Sequence, residues 1–199
     1  SLDRISGGRL IINVVGGGDP VELAGDGVFF SHGERYELMD DFLKVWKVLV
    51  NGQSCSFVGK FFKIEKGQLL FPCVQDPMPH LFMGASSPAS IKIAVDHIDT
   101  VLTWGEPPAQ VEEKLIKLRA AANDADKKIS FGIRLHIVVR ETDAEAWDAA
   151  HKLIQHVSSD AIEASQRVLS RTESHGQKRM INLHKGRREK LEVSPNLWA

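Results

Sequence analysis

The residues around position 32 combine a helix start with side chains that suit an anion. Ser31 and Glu34 have the spacing of a capping box, and an apolar helical repeat follows from Leu38. His32 and Tyr36 are four residues apart and therefore share one face of the first turns. A helix N-terminus attracts anions through its free N–H groups and its dipole. The pattern favours a phosphate site, the alternative being an ordinary helix start without a ligand.

A second pair of candidate residues, Arg134 and His136, lies on a strand predicted over residues 129–139. Alternation along a strand places both on one face and apolar side chains on the other. The apolar face, which is expected to pack on helices, holds Phe131, Ile133, Leu135, Ile137 and Val139. In a barrel the opposite face points inward, where an unpaired guanidinium is costly. One interpretation is a structural ion pair with a buried carboxylate. The favoured one is an anionic substrate pocket, with Arg134 holding the anion and His136 orienting or transferring a proton.

Three further residues stand at the ends of predicted strands. Ser86 and Ser87 lie in a turn that opens a helix at Pro88, so they are either simple caps or part of a second phosphate cradle. Trp104 ends a strand, where barrel enzymes collect their site residues. An aromatic side chain in that position is either a core residue or the wall of a ligand pocket.

Other chemistry receives little support. Cys55 and Cys73 are far apart and have no metal-ligand spacing, so we expect two free thiols in a reducing cytosol. No HExxH or paired histidine spacing is present, and no metal site is predicted. A basic segment lacks interleaved aromatics, which favours a mobile loop or lid over nucleic-acid binding. Its cations are Lys178, Arg179, Lys185, Arg187, Arg188 and Lys190.

The elements that must position these residues alternate along the chain. Strands are predicted at residues 10–15, 80–83, 100–104 and 129–139, and helices at 34–50, 88–95, from 108, 143–156 and 160–169. A β-hairpin and a linker are expected between residues 55 and 79. No helix is expected directly after Gly16-Gly17-Gly18, and order is expected to weaken beyond Arg171. This alternation predicts an α/β fold with a parallel sheet.

The glycine spacing and the strand count narrow the fold further. The glycines after the first strand lack the GxGxxG spacing, so a dinucleotide-binding domain is the weaker choice. A (β/α)8 barrel needs eight strands and roughly 250 residues, so four strands make half of one.

The composition is that of a globular protein with no membrane-spanning segment. The 199 residues are 43% hydrophobic and 26% charged, with a formal net charge of −1, which gives no general argument for nucleic acid or an acidic membrane surface. No apolar run approaches ~20 residues. We therefore expect a cytoplasmic protein without a membrane or nucleic-acid partner. The first residue is Ser1 rather than Met, so we expect the natural start to lie elsewhere.

Longer runs of residues give the sequence a family resemblance. It resembles the bacterial luciferase-like flavin monooxygenases, and within them the FMNH2-dependent alkanesulfonate monooxygenases. The runs that carry the resemblance are SLDRISGGR (1–9), ELAGDG (22–27), HGERY (32–36), LTWGEPP (102–108), FGIRLH (131–136), VRET (139–142) and SPNLWA (194–199).

The resemblance implies both a reaction and a set of site residues. The reaction uses reduced FMN, supplied by a separate NAD(P)H-dependent reductase, and O2 to convert an alkanesulfonate to an aldehyde and sulfite. The FMN phosphate and ribityl chain would be held by His32, Tyr36, Ser86 and Ser87. The flavin and sulfonate pocket would be lined by Trp104, Arg134 and His136, with catalysis assigned to Arg134 and His136. Residues 172–193 would form a mobile lid, and a homo-oligomer (dimer or tetramer) is expected.

The resemblance covers only strands four to seven of a TIM barrel. We therefore expect a single partial domain over residues 1–199, with about four parallel strands and a β-hairpin insertion at 55–79. We expect the 199-residue chain to be inactive by itself. Two alternatives stay open. One is a luciferase-like flavin monooxygenase with another small substrate, such as a sulfone or a pyrimidine. The other is a non-catalytic, truncated remnant that binds flavin.

Overall fold

A four-stranded parallel sheet forms the centre of the computed structural model, which describes residues 1–187 and 191–198. The strands in the described ranges are β1 (Ile11–Val14), β2 (Cys55–Val58), β3 (Lys63–Gly67), β4 (His80–Gly84), β5 (Thr100–Trp104), β6 (Ser130–Arg134), β7 (Glu192–Ser194) and β8 (Leu197–Trp198). The main sheet has the order β1-β4-β5-β6, with every pairing parallel. This confirms the predicted α/β class and the partial barrel. The antiparallel β2–β3 pair confirms the predicted hairpin.

Helices follow most of the strands and start where the sequence supplies caps. The helices in the described ranges are α1 (Leu2–Ile5), α2 (Pro20–Gly25), α3 (His32–Val50), α4 (Pro88–His97), α5 (Pro108–Asp124), α6 (Asp143–Ile154), α7 (Ser159–Leu169) and α8 (His175–His184). Reciprocal capping boxes begin α3 at Ser31, α4 at Ser87 and α6 at Thr142. These local signals explain why the predicted helix starts are close to the observed ones.

The hydrophobic core lies on one face of the sheet, beneath α3, α4 and α5. Leu81 and Met83 of β4 and Val101 of β5 are buried, and they pack with Leu43 of α3 and Leu118 of α5. Burying one such side chain fully contributes about 1.5–3 kcal/mol relative to leaving it exposed. This packing fixes which face of each strand meets the helices, because neighbouring residues of a strand point to opposite faces.

The opposite face of the sheet, called here the inner face, is largely open. Ile11 and Asn13 of β1 point to it and are exposed. On β5 and β6, Leu102 pairs with Gly132 and Trp104 pairs with Arg134. Residues in register on parallel strands share a face, so Arg134 lies on the inner face, as predicted. Within the described residues β1 and β6 each pair on one side only.

The predicted strand over residues 129–139 is too long. β6 ends at Arg134, because its partner β5 ends in register at Trp104 and no further strand pairs with β6 in the described ranges. Residues 135–139 therefore form no strand, and Leu135, Ile137 and Val139 are exposed instead of packing on helices. His136 accordingly lies beyond the strand rather than on its inner face.

Two helices were missed by the sequence prediction. The short α2 begins at Pro20, and the Asp19 carboxylate caps it by accepting a hydrogen bond from the Val21 N–H at 2.8 Å. α8 lies in the segment where weakened order was expected, and Ser174 caps it with a hydroxyl that accepts from the Gln177 N–H. Both starts carry the Asp or Ser cap that is typical of helices.

The predicted lid, residues 172–193, thus contains a helix. Its mobility stays a prediction, and Arg188 and Lys190 lie outside the described residues. Cys55 and Cys73 are free thiols, as expected.

Candidate active site

A pocket of about 420 Å³ opens at the carboxyl ends of the sheet strands. Its walls come from the glycine loop after β1 (residues 16–18), the start of α3, the turn between β4 and α4, the end of β5 and the start of α8. Five predicted site residues line it together: His32, Tyr36, Ser86, Ser87 and Trp104. The carboxyl end of a parallel sheet is where ligands bind in this class of fold. The roles of these residues stay predictions, but the expected grouping is present.

The glycine loop brings backbone, rather than side chains, to the pocket. Gly17 has a φ of +74°, and a Cβ there would lie 2.6 Å from Leu23. A Cβ on Gly16 would lie 3.4 Å from the Tyr36 ring. Glycine is therefore favoured at position 17 by its left-handed backbone conformation, and a side chain there would also displace the end of Leu23.

The His32 and Tyr36 rings are in contact at the start of α3, with centroids 4.9 Å apart and planes inclined by 58°. Burial lowers the pKa of His32, and the nearby charges of Arg35 and His175 lower it further. Burial raises the pKa of Tyr36 against the opposing effect of hydrogen bonds with Ser90 and Ser87. At neutral pH the pocket therefore offers a protonated phenol, which donates one hydrogen bond, beside an imidazole that tends to be neutral.

Arg35 is a buried residue that the sequence prediction missed. Its guanidinium donates to the Gly16 carbonyl at 3.0 Å, to the Phe30 carbonyl at 2.9 Å and to the Glu173 carboxylate at 2.6 Å. It therefore holds the glycine loop, the start of α3 and the segment before α8 in one arrangement. No local pattern marks this role, since Glu173 lies 138 residues further along the chain.

The two serines of the β4–α4 turn, Ser86 and Ser87, differ in burial and in hydrogen bonding. Ser87 is buried, and its hydroxyl caps α4 by accepting from the Ser90 N–H at 3.2 Å. Ser86 is half-buried, and its backbone N–H donates to the Ser90 hydroxyl at 3.0 Å. The Ser86 side chain is therefore better placed than that of Ser87 to contact a ligand.

Of the three residues predicted to line the flavin and sulfonate pocket, one lies in the observed pocket and two lie outside it. Trp104 lines the pocket, and the Arg134 guanidinium lies over its ring, 5.1 Å from the centroid. This is a cation–π distance. Arg134 and His136 are both exposed and neither lines the pocket, so the structure does not place them in one site with His32. No ion pair involves Arg134 within the described residues, so the alternative of a structural ion pair has no support there.

α8 closes one side of the pocket, which the sequence prediction assigned only to a loop. Gly176 is buried against Trp104, and a Cβ on it would lie 3.2 Å from the indole Nε1. Glu106, just after β5, accepts a hydrogen bond from Arg179 of α8 at 2.6 Å and also pairs with buried Lys114. The absence of a side chain at Gly176 and this ion-pair network explain the close contact between α8 and the sheet.

The polar groups of the pocket fit one end of a flavin nucleotide. α3, α4 and α8 all begin at the pocket, so the positive ends of three helix dipoles lie beside it. Imidazole, phenol and serine hydroxyl groups are suitable partners for a phosphate and for the hydroxyls of a ribityl chain. The pocket also reaches Leu102 and Trp104 on the inner face, which offers apolar surface for an aromatic ring system.

Comparison with known proteins gives the family. A family model described as luciferase-like monooxygenase matches residues 1–197. The chain belongs to the luciferase-like monooxygenase family. No helix within residues 1–187 and 191–198 is long and apolar enough to cross a membrane.

Solved structures of similar fold agree with this luciferase-like architecture. They include a long-chain alkane monooxygenase (TM-score 0.76, 20% identity, 94% of this chain and 52% of that chain). A riboflavin lyase with modified FMN and riboflavin has a TM-score of 0.75 at 22% identity, over 85% of this chain and 44% of that one. An F420-dependent secondary alcohol dehydrogenase has a TM-score of 0.63 at 18% identity, over 82% of this chain and 49% of that chain. The chain thus spans about half the length of these proteins.

Proposed function

We propose that this chain supplies the FMN-binding wall of a flavin-dependent monooxygenase that acts on alkanesulfonates. The overall reaction consumes reduced FMN and O2 and releases an aldehyde and sulfite. The observation that carries the proposal is the grouping of His32, Tyr36, Ser86 and Trp104 around one pocket, beside three helix N-termini, in a luciferase-like chain. F420-dependent enzymes have the same fold, so the cofactor is argued from these residues and not from the fold.

The residues of the pocket have separate tasks in this proposal. His32, Tyr36 and Ser86 bind the phosphate and ribityl end of FMN, and Ser87 fixes the start of α4 beside it by capping the helix. Trp104 offers its indole to the flavin and the substrate on the inner face. When bound, FMN supplies the redox and oxygen chemistry that these side chains cannot provide.

Arg134 is proposed to bind the sulfonate. A sulfonate is a permanent anion, and a guanidinium forms strong charge-assisted hydrogen bonds with such oxygens. The register with Trp104 supports this role, because it places Arg134 on the inner face next to an aromatic that lines the pocket. His136 is proposed to orient or transfer a proton during the reaction. Its support is the family resemblance alone, since it lies outside both the strand and the pocket.

The proposal also includes protein partners and a location. An NAD(P)H-dependent reductase supplies reduced FMN, which places the reaction in the cytoplasm, and the chain assembles as a homo-oligomer.

Flavin binding by this chain tests the first part of the proposal. We expect FMN to bind with quenching of its fluorescence, and Tyr36→Phe and Ser86→Ala to weaken that binding. Each removes one hydrogen-bonding hydroxyl, worth about 0.5–1.5 kcal/mol, or roughly a two- to tenfold change in Kd. Ser56→Ala, in the hairpin away from the pocket, is the matched control. Absence of FMN binding would contradict the proposal.

Sulfite release tests the second part. With a reductase, NAD(P)H, FMN and octanesulfonate, we expect no sulfite from the 199-residue chain and sulfite from a longer protein that contains it. A sulfone and a pyrimidine, offered in parallel, identify the alternative substrate classes. Sulfite from the 199-residue chain would contradict its expected inactivity. Turnover of only a sulfone or a pyrimidine by the longer protein would contradict the alkanesulfonate assignment.

A flavin-binding protein without turnover is the second candidate function. The observation that favours it is the exposure of Arg134 and His136 outside the pocket. This candidate predicts that the chain binds flavin but that no product forms from any of the three substrates. The same result is expected of the longer protein.

A further inference from the structure

His175 lies at the pocket and has no role in the proposed function so far. It is the first residue of α8, it lines the pocket, and its ring centroid is 5.9 Å from that of His32. The two imidazoles come from the first turns of two different helices, α3 and α8. The pocket therefore has two histidines beside two helix N-termini, where an anion is favoured.

The position of His175 is fixed from both sides. The Glu173 N–H donates to the Gly18 carbonyl at 2.7 Å, and the Glu173 carboxylate accepts from buried Arg35 at 2.6 Å. Further along α8, Arg179 pairs with Glu106. These contacts join the start of α8 to the glycine loop, to α3 and to the end of β5. The contacts of Glu173 and Arg179 thus hold the backbone of His175 near His32, while the His175 side chain itself is exposed.

The charges around the pocket indicate where an anion would lie. Among the described residues that line it, the carboxylates are Asp19 and Glu22, both on the α2 side. Asp19 accepts from Arg171 at 3.2 Å. The corner between α3 and α8 contains His32 and His175 and no carboxylate in the lining. A phosphate is therefore repelled from the α2 side and attracted to the imidazole side.

The pKa of His32 depends on the same neighbouring charges. Burial lowers this pKa, and the neighbouring Arg35, His175 and Lys178 lower it further, while the Glu173 carboxylate opposes the shift. A dianion placed between the two rings would reverse this repulsion, because an adjacent negative charge favours the protonated imidazole. Both rings would then donate charge-assisted hydrogen bonds.

We propose that His175 binds the terminal phosphate of the flavin nucleotide together with His32, and that this pair makes the pocket select FMN over riboflavin. This inference rests on the proposed flavin-binding function. It adds a residue from α8 to the phosphate site and assigns the selectivity to the α3–α8 corner. Riboflavin has the same ring system and ribityl chain but lacks the phosphate, so it separates phosphate binding from every other contact.

The experiment compares the Kd values for FMN and riboflavin, measured by flavin fluorescence on the 199-residue chain. We expect His175→Ala to raise the Kd for FMN by about tenfold, the loss expected for one hydrogen bond to a charged group. The Kd for riboflavin should stay unchanged. His175→Lys, which places a hydrogen-bonding cation at this position, should recover most of the preference for FMN. His151→Ala, on the exposed side of α6, is the matched control.

The possible results separate the two proposals. If wild-type protein prefers FMN and His175→Ala keeps the full preference, the role of His175 is wrong and the flavin-binding function stands. If both flavins weaken equally in His175→Ala, the residue acts on the shape of the pocket and the inference is again overturned. If wild-type protein binds neither flavin, the proposed function and this inference fail together. Circular dichroism melting of each variant verifies that the fold is intact.

Discussion

At the scale of single residues, two sets of buried ion pairs lie next to the candidate site. The Glu106 side chain is fully buried and pairs with Lys114, which is also buried, and with Arg179. Arg35 is a second buried cation with a carboxylate partner. Buried ions are tolerated only when they are paired, so these residues depend on one another. The same pairs hold α8 at the pocket, which links the stability of the protein to the geometry of the site.

Replacing Glu106 by Gln tests this dependence. We expect the free energy of unfolding to fall by about 3–5 kcal/mol, because Lys114 is left as a buried charge without its anion. Urea denaturation measures the change. Glu113→Gln is the control: it breaks an exposed ion pair with Lys117 within α5 and should leave the midpoint of urea denaturation unchanged. Equal effects of the two substitutions would show that the Glu106 network does not stabilise the fold.

At the scale of elements, a histidine joins two helices of the core. His97 ends α4 and is buried, and its Nε2 lies 2.7 Å from Oδ1 of Asp40 on α3. Burial lowers the pKa of His97, and the Asp40 hydrogen bond opposes this shift without cancelling it. For Asp40, burial raises the pKa, but the hydrogen bonds from His97 and Lys44 outweigh it and the pKa is lowered. The helix contact therefore depends on the protonation of this pair.

The contact between α3 and α4 should weaken in acid. A histidine with a lowered pKa binds protons more tightly in the unfolded chain, where its pKa is about 6.5. The stability due to His97 is therefore fully present above about pH 6.5 and is lost as the pH falls through the lower pKa of the folded state. We expect the free energy of unfolding to decrease from pH 7.5 to pH 5.5. Urea titrations at the two pH values measure it.

His97→Gln should reduce that pH dependence. His32 and His184 also have lowered pKa values and keep part of it. His156→Gln, at an exposed position, is the control and should behave as wild type. If the free energy of unfolding of His97→Gln fell as much between pH 7.5 and pH 5.5 as that of the wild type, His97 would not be a source of the pH dependence.

At the scale of the whole molecule, one face of the sheet is covered by helices and the other is open. β1 and β6 are sheet edges within the described residues, and Ile11 of β1 is 62% exposed on the inner face. Unpaired strand edges beside apolar surface are templates for association with another chain. The pocket lies at the end of this open face, so whatever covers the face also borders the site.

Self-association of the 199-residue chain is the corresponding prediction. We expect a mass that rises with concentration in sedimentation equilibrium, and we expect Ile11→Lys to reduce it by placing a charge on the β1 edge. Ile5→Lys, at an exposed isoleucine of α1 away from the sheet, is the control. A wild-type chain that stays monomeric at all concentrations would contradict this prediction, and so would equal effects of the two substitutions.

The sequence by itself determined the elements whose signals are local. Capping residues and apolar periodicity predicted α3, α4, the hairpin and the alternation of strands and helices, because each signal lies within a few residues of its effect. The helix starts also singled out His32, Tyr36 and Ser86, and the end of a predicted strand singled out Trp104. The family resemblance went further than these patterns and supplied the reaction that we propose.

Tertiary structure alone decided what depends on partners distant in sequence. β6 stops at Arg134 because β5 stops beside it, which no pattern within residues 129–139 reveals. Arg35 is buried because Glu173 meets it from 138 residues away, and α8 reaches the pocket because Arg179 finds Glu106 73 residues earlier. Pairing and burial are set by neighbours in space, so they become visible only once the chain has folded.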